Sequence, residues 1–151
     1  ELQHFFWLAF LRKYAIIILM KEYLEIFKCL SDETRLRLLH LLIKADSELC
    51  GCELADSLEV PQYNVSRHLK ILSNTGLIEE RKEGRWVYFG ISKGKSSFRK
   101  AILKSVSCIP HSLLAKDQME LKKRFKLRMN GKCILGIQKK HLLKVGRKRY
   151  E

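Results

Sequence analysis

At Gly76 the apolar period of this chain changes from about 3.6 residues to two, which narrows the folds open to it. Before that point, Pro61-Gln62-Tyr63-Asn64-Val65-Ser66-Arg67-His68-Leu69-Lys70 and the residues to about Ser73 put Val65, Leu69 and Leu72 on one helical face. Asn74-Thr75-Gly76 supplies a left-handed stop. After it, residues 77–81 and 85–91 alternate as strands, joined by Lys82-Glu83-Gly84 into a hairpin. Upstream, Ser47 reads as the N-cap of a short helix through Ser57. Glu59-Val60-Pro61 then turns into the next helix, whose first turn suits Pro61. A short helix, a tight turn, a longer helix and a glycine-tipped hairpin spell a winged helix-turn-helix, mainly α with a β-hairpin wing.

The flanks fit around that unit. Tyr23, Leu24, Ile26, Phe27 and Leu30 recur at helical spacing and end at Ser31-Asp32, with Asp32 placed to cap a buried helix over residues 33–44. Residues 97–107 are again helical, Pro110 interrupts, and an amphipathic helix is expected from about His111 to Met129, closed by Asn130-Gly131. The expected organisation is an apolar helical extension (1–20), the winged domain (21–95), C-terminal helices for dimerisation or for completing a ligand site (96–137), and a basic, mobile tail (138–151). Arg12 and Lys13 split the extension into runs far below the roughly 20 residues of a membrane span, and it lacks a signal-peptide pattern. No membrane partner is expected. Met20 opens a sequence that reads as a complete small regulator, so residues 1–19 are either an extra helix covering apolar surface in a dimer or residues of an upstream or engineered start. Their density of Phe, Trp and Ile favours the ordered helix.

Charge sorts along the chain in the same sense. Residues 1–60 hold 7 Lys/Arg against 10 Asp/Glu, and residues 61–151 hold 23 against 6. A basic majority that begins at the second helix suits double-stranded DNA, although a solvated basic face or membrane-surface attraction gives the same count. In this geometry the second helix enters the major groove, offering Gln62, Tyr63, Asn64, Ser66, Arg67, His68 and Lys70. Gln and Asn pair with adenine edges, and Arg with guanine or phosphate. Arg81, Lys82 and Arg85 on the hairpin are placed for backbone or minor-groove contact.

With these residues in view, the chain resembles the ArsR/SmtB family of repressors. The resemblance rests on Phe27-Lys28-Cys29-Leu30-Ser31-Asp32-Glu33-Thr34-Arg35-Leu36-Arg37-Leu38-Leu39, on Val65-Ser66-Arg67-His68-Leu69-Lys70-Ile71-Leu72, and on Gly76-Leu77-Ile78 with Glu83-Gly84-Arg85-Trp86-Val87-Tyr88-Phe89. It covers roughly residues 21–92. Glu33 stands where Pro is frequent, and Pro61-Gln62-Tyr63-Asn64 replaces the more usual Ser-Gln-Pro-Lys, a change that bears on operator sequence. The family implies a homodimer, held by terminal helices, that leaves its operator when an inducer binds.

Cys50-Gly51-Cys52, between Glu48-Leu49 and Glu53-Leu54, is similar to the thiol site of the arsenic- and cadmium/lead-responsive members. Thiolate is the ligand form, and a helix N-terminus favours it. Soft thiolates select trivalent arsenic or antimony, cadmium, lead, monovalent copper or zinc. Residues two apart on a regular helix point to nearly opposite sides, so chelation is expected to unwind or displace this helix start. The plain alternative is a pair of small hydrophobes in a core.

The third cysteine that often follows such a pair is Ala55 here, leaving Cys133, Cys108 and Cys29 as candidates, with Cys133 preferred because it follows a turn. Zinc sites on the C-terminal helix of SmtB-type members are not matched, since His111 and His141 are isolated; His4 and His40 read as packing or surface residues. Five cysteines, an odd count without a secretory signature, suit reduced thiols in the cytoplasm. Three rival readings remain: a redox or persulfide switch on the same DNA-binding unit, an architectural DNA-binding protein with inert cysteines, and a thiol oxidoreductase. The last lacks a C-x-x-C, a βαβ pattern and a phosphate-cradling loop, and no enzyme activity is expected.

Overall fold

A computed structural model describes residues 2–139, so most of the predicted basic tail, together with His141 and the side chain of His4, lies outside the described residues. Helix α1 (Leu2–Leu30) is continuous, merging the apolar extension with the helix read from Tyr23 onward. Ile26 and Cys29 are buried in the core, as read for Cys29, while Trp7, Phe10, Tyr14, Ile17 and Leu24 face outward. Asp32 caps α2 (Glu33–Ala45) as its spacing predicts, its Oδ1 accepting from the Arg35 N–H at 2.9 Å. Leu38, Leu39, Leu41 and Leu42 give the core its centre. His40 is buried among them, a packing residue.

Helix α2 ends on Asp46 at φ 46°, a left-handed position that glycine fills without a Cβ penalty. Asp46→Gly is therefore expected to raise stability by about 0.5 kcal/mol, read as a higher denaturant midpoint at unchanged slope.

The helix-turn-helix consists of α3 (Gly51–Leu58) and α4 (Gln62–Asn74). Glu59 (φ 56°) turns the chain between them and Gly76 (φ 69°) closes α4. Val65, Leu69 and Leu72 are fully buried, so the opposite face of α4 is turned outward. Strands β2 (Ile78–Glu83) and β3 (Trp86–Ile91) pair antiparallel from Ile78↔Ile91 to Glu83↔Trp86, with Gly84 at φ 59° in the tip.

One element was not expected. Strand β1 (Leu49–Cys50) adds to the far edge of β3, giving a sheet in the order β1-β3-β2 with Cys50 opposite Tyr88. This corrects the helix start predicted at Ser47. Residues 49 and 50 are held extended by the wing, and the buried Glu53 carboxylate accepts the Cys50 N–H at 2.9 Å, so the helix begins at Gly51.

Past the wing, α5 (Ser97–Ser107) packs on α1 and α2; Phe98 lies edge-on to Tyr23 and Phe27, with centroids 4.8 and 5.7 Å away. Helix α6 (His111–Phe125) lies along α3 in the opposite sense: Lys116 meets Glu59 just past α3, Arg124 meets Asp56, and Arg128, just past α6, meets Glu53. It stops four residues before the predicted Met129. The N–H groups of Leu127 and Arg128 tighten onto the carbonyls of Arg124 and Phe125, and Met129 then bridges Lys132 around Asn130 and Gly131, both at positive φ. Residues 129–139 return across α3 and the wing as a strap.

Candidate metal centre and nucleic-acid interface

Three segments far apart in sequence deliver one sulfur each to a single buried point. Cys50 ends β1, Cys52 lies in the first turn of α3, and Cys133 comes from the strap. Their sulfurs are 2.6 Å (50–52), 2.9 Å (50–133) and 3.5 Å (52–133) apart. Among the described residues this is the one cluster of three or more His, Cys, Asp or Glu ligand atoms able to share a metal ion. Cys108 is exposed and Cys29 is in the core, so neither reaches it.

The expected unwinding of the helix start is not needed. Cys50 is the N-cap, in extended conformation at φ −81° and ψ 157°, and that single non-helical residue turns its sulfur onto the same side as Cys52. Residues two apart diverge only on a regular helix, and the pairing of β1 with the wing keeps Cys50 out of α3.

Around the sulfurs lies a layer of ion pairs that the sequence did not announce. Arg124, nearly fully buried, sets Nη2 at 3.6 Å from the sulfurs of both Cys52 and Cys133. The same guanidinium donates to the carbonyls of Leu135 and Gly136 and pairs with the buried Asp56 at 3.4 Å. Asp56 also accepts the N–H groups of Gln138 and Lys139, which anchors the end of the strap. Arg128 makes a two-pronged contact with Glu53 at 2.7 and 2.9 Å and donates to the Glu48 carbonyl. Tyr88 Oη accepts the Cys133 N–H at 3.2 Å. Arg124 on the last turn of α6 and Arg128 in the turn just beyond it face two carboxylates on α3, a pattern visible in sequence only once α6 and α3 are known to be neighbours.

The Cys50 thiol is held well above its ordinary pKa by its hydrogen bond with Cys52 and then by burial. Burial first, then the Cys50 sulfur, pushes Cys133 up to about 11. Both are therefore protonated at neutral pH.

On the outward face of α4, Gln62, Tyr63, Asn64, Ser66, Arg67 and Lys70 are all exposed, and Arg67 lies over the Tyr63 ring at 5.8 Å. His68 differs from the rest. It is half-buried where α4 approaches the start of α2, with Nδ1 3.6 Å from the Asp32 carboxylate that caps α2. Arg81, Lys82 and Arg85 are exposed on the hairpin. Arg81 is held by Glu48 and Glu83, each at 2.6 Å. Arg85 stacks on Trp86 at 4.6 Å and reaches the Ile134 carbonyl of the strap. Lys132 of the strap pairs with Glu83, and Lys132 first, Arg81 second, hold that carboxyl down at about 2. Among the described residues no helix is long and apolar enough to cross a membrane.

The sequence pattern of the arsR family of bacterial regulatory proteins matches residues 32–80. An arsenic resistance transcriptional regulator of Pseudomonas putida is 40% identical over 96 residues, 64% of this chain and 74% of that protein. A cadmium resistance regulatory protein of Staphylococcus aureus is 39% identical over 67 residues, 44% of this chain and 54% of that protein. Among solved structures, reduced HlyU from Vibrio cholerae superposes with a TM-score of 0.51 at 30% identity, over 66% of this chain and 95% of that one.

Proposed function

This chain belongs to the arsR family of bacterial regulatory proteins, and from that premise we propose that it is a DNA-binding repressor released by a soft ion at Cys50, Cys52 and Cys133. The observation that carries the reading is the convergence of three sulfurs from three segments on one buried point. A core of inert cysteines has no reason to gather them beside a guanidinium. The donor set, three thiols and no imidazole, fits trivalent arsenic or antimony, and with a further ligand cadmium, lead or zinc. The outward aromatic and aliphatic side chains of α1 make a second copy of the chain the natural cover for that helix, giving a homodimer with two α4 helices presented to operator DNA.

The route from ion to DNA runs through the wing. Cys50 is paired with the wing strand, the Cys133 N–H is held by Tyr88, Lys132 holds Glu83, and Arg85 reaches the Ile134 carbonyl. Drawing the three sulfurs onto one ion fixes the strap against the wing and keeps Arg81 and Arg85 engaged with protein instead of phosphate. The ion shifts the equilibrium by its difference in affinity between this shape and the DNA-bound one.

The deciding experiment measures operator affinity of reduced protein with arsenite, cadmium and peroxide in separate arms. Release by either ion that is lost in the Cys50→Ser/Cys52→Ser variant supports the reading; release by peroxide alone moves it to a redox switch. On the DNA side, Arg67→Ala is expected to weaken operator binding about tenfold to a hundredfold while leaving ion affinity unchanged, as read by fluorescence anisotropy. Equal losses on operator and random DNA would assign Arg67 to phosphate contact.

A further inference from the structure

We propose that the buried Arg124–Asp56 pair sets the charge of ion that the thiol centre accepts, matching it to a trivalent ion over a divalent one. The inference rests on the reading of Cys50, Cys52 and Cys133 as the ion site and asks what that site discriminates.

Charge balance around the sulfurs carries it. The charged groups around the centre are Arg124, which reaches two sulfurs, Glu53, which accepts the Cys50 N–H, and their partners Asp56 and Arg128, so each charge is paired with the other kind. All four are nearly or largely buried, so the surroundings of the sulfurs sum to zero. The exposed Glu48 and Arg81 also pair with each other. When three thiols bind as thiolates, a trivalent ion leaves the pocket neutral, whereas a divalent ion leaves one uncompensated negative charge away from water. Burying an unpaired charge is the more unfavourable outcome.

Arg124 is the group positioned to change that outcome. Its Nη2 is 3.6 Å from two of the three sulfurs, close enough to stabilise an anionic trithiolate. Asp56, 3.4 Å from the Nη1 of the same guanidinium, cancels that help. Asp56 is thus the residue that withholds a free positive charge from the centre, and Arg124 the one that would supply it. Both are specificity-determining residues that act by charge on a ligand they do not coordinate.

The test compares arsenite and cadmium affinities of the reduced full-length chain at one fixed pH, followed by thiolate-to-ion absorption in the ultraviolet. Asp56→Asn leaves the pocket with a net positive charge and is expected to move the cadmium-to-arsenite affinity ratio about thirtyfold towards cadmium, taking an effective dielectric near 20. Arg124→Gln leaves it negative and is expected to move the ratio the other way by a similar or larger factor. The double variant is neutral and is expected to return the ratio to within about threefold of the parent. Loosening of the strap lowers both affinities together and leaves the ratio alone, so a merely structural role is separable. Equal losses for both ions with an unmoved ratio, or shifts in the same direction in both single variants, overturn the proposal while leaving the thiol site intact. Failure of the parent chain to bind either ion overturns the thiol reading and this proposal together.

Discussion

Cys133→Ser is expected to weaken arsenite binding at least a hundredfold while operator affinity without inducer stays within a factor of about two. The size follows from ligand count. Thiolate sites with four protein ligands bind with roughly 10–16 kcal/mol, so one ligand is worth about 3 kcal/mol, near a hundredfold. The hydroxyl of serine does not replace it, because a hard oxygen is a poor partner for a soft ion. Operator affinity is preserved because Cys133 lies in the strap, away from the outward face of α4. Two controls bracket the result. Cys108→Ser changes an exposed thiol outside the centre and is expected to leave binding and release untouched. Cys29→Ser places a hydroxyl in the core and is expected to lower stability by about 1–3 kcal/mol without changing ion affinity. If Cys133→Ser binds arsenite as tightly as the parent, the third ligand is something other than Cys133, and the coupling route through the strap goes with it.

What could be seen in sequence and what could not divide along contact distance. The change of period at Gly76, the cap at Asp32 and the buried face Val65-Leu69-Leu72 depend on neighbours within a few residues, and each appears in the structure where its pattern put it. The start of α3 was misplaced because β1 exists only by pairing with Tyr88 and Phe89, some 40 residues on. A local rule read Ser47 as a cap; a long-range ladder overrode it. The same ladder removes the unwinding step expected of Cys50 and Cys52, since it holds Cys50 extended. Cys133 was one of three candidates in sequence, favoured only because it followed a turn, and the strap that delivers it depends on Asp56 accepting two of its N–H groups. Arg124 and Arg128 carried no signal at all. Only the packing of α6 along α3 turns Arg124, and Arg128 just beyond the helix, inward to Asp56 and Glu53.

Cadmium affinity is expected to rise at least a hundredfold per pH unit between pH 6 and 8, while arsenite affinity stays flat over the same range. The sign follows from the thiols. Cys50 and Cys133 have raised pKa values, the latter about 11, so both are protonated throughout this window and must lose their protons to become thiolate ligands. Cadmium arrives as a bare dication, so its capture releases those protons to solvent, and each released proton contributes one decade of affinity per pH unit. Two such thiols give the hundredfold. Arsenite at these pH values is the neutral trihydroxide. Each As–S bond that forms breaks one As–O bond, and the thiol proton leaves with the hydroxide as water. Three thiols and one trihydroxide give one trithiolate and three waters, with no net proton exchanged. The contrast is a property of the ion-free thiols and needs no knowledge of which ion is cognate. Direct titrations at three pH values, paired with proton counting by calorimetry in buffers of different ionisation enthalpy, measure it. A cadmium dependence shallower than tenfold per pH unit would mean that the guanidinium of Arg124, 3.6 Å from two of the sulfurs, already holds the centre as thiolates before any ion binds.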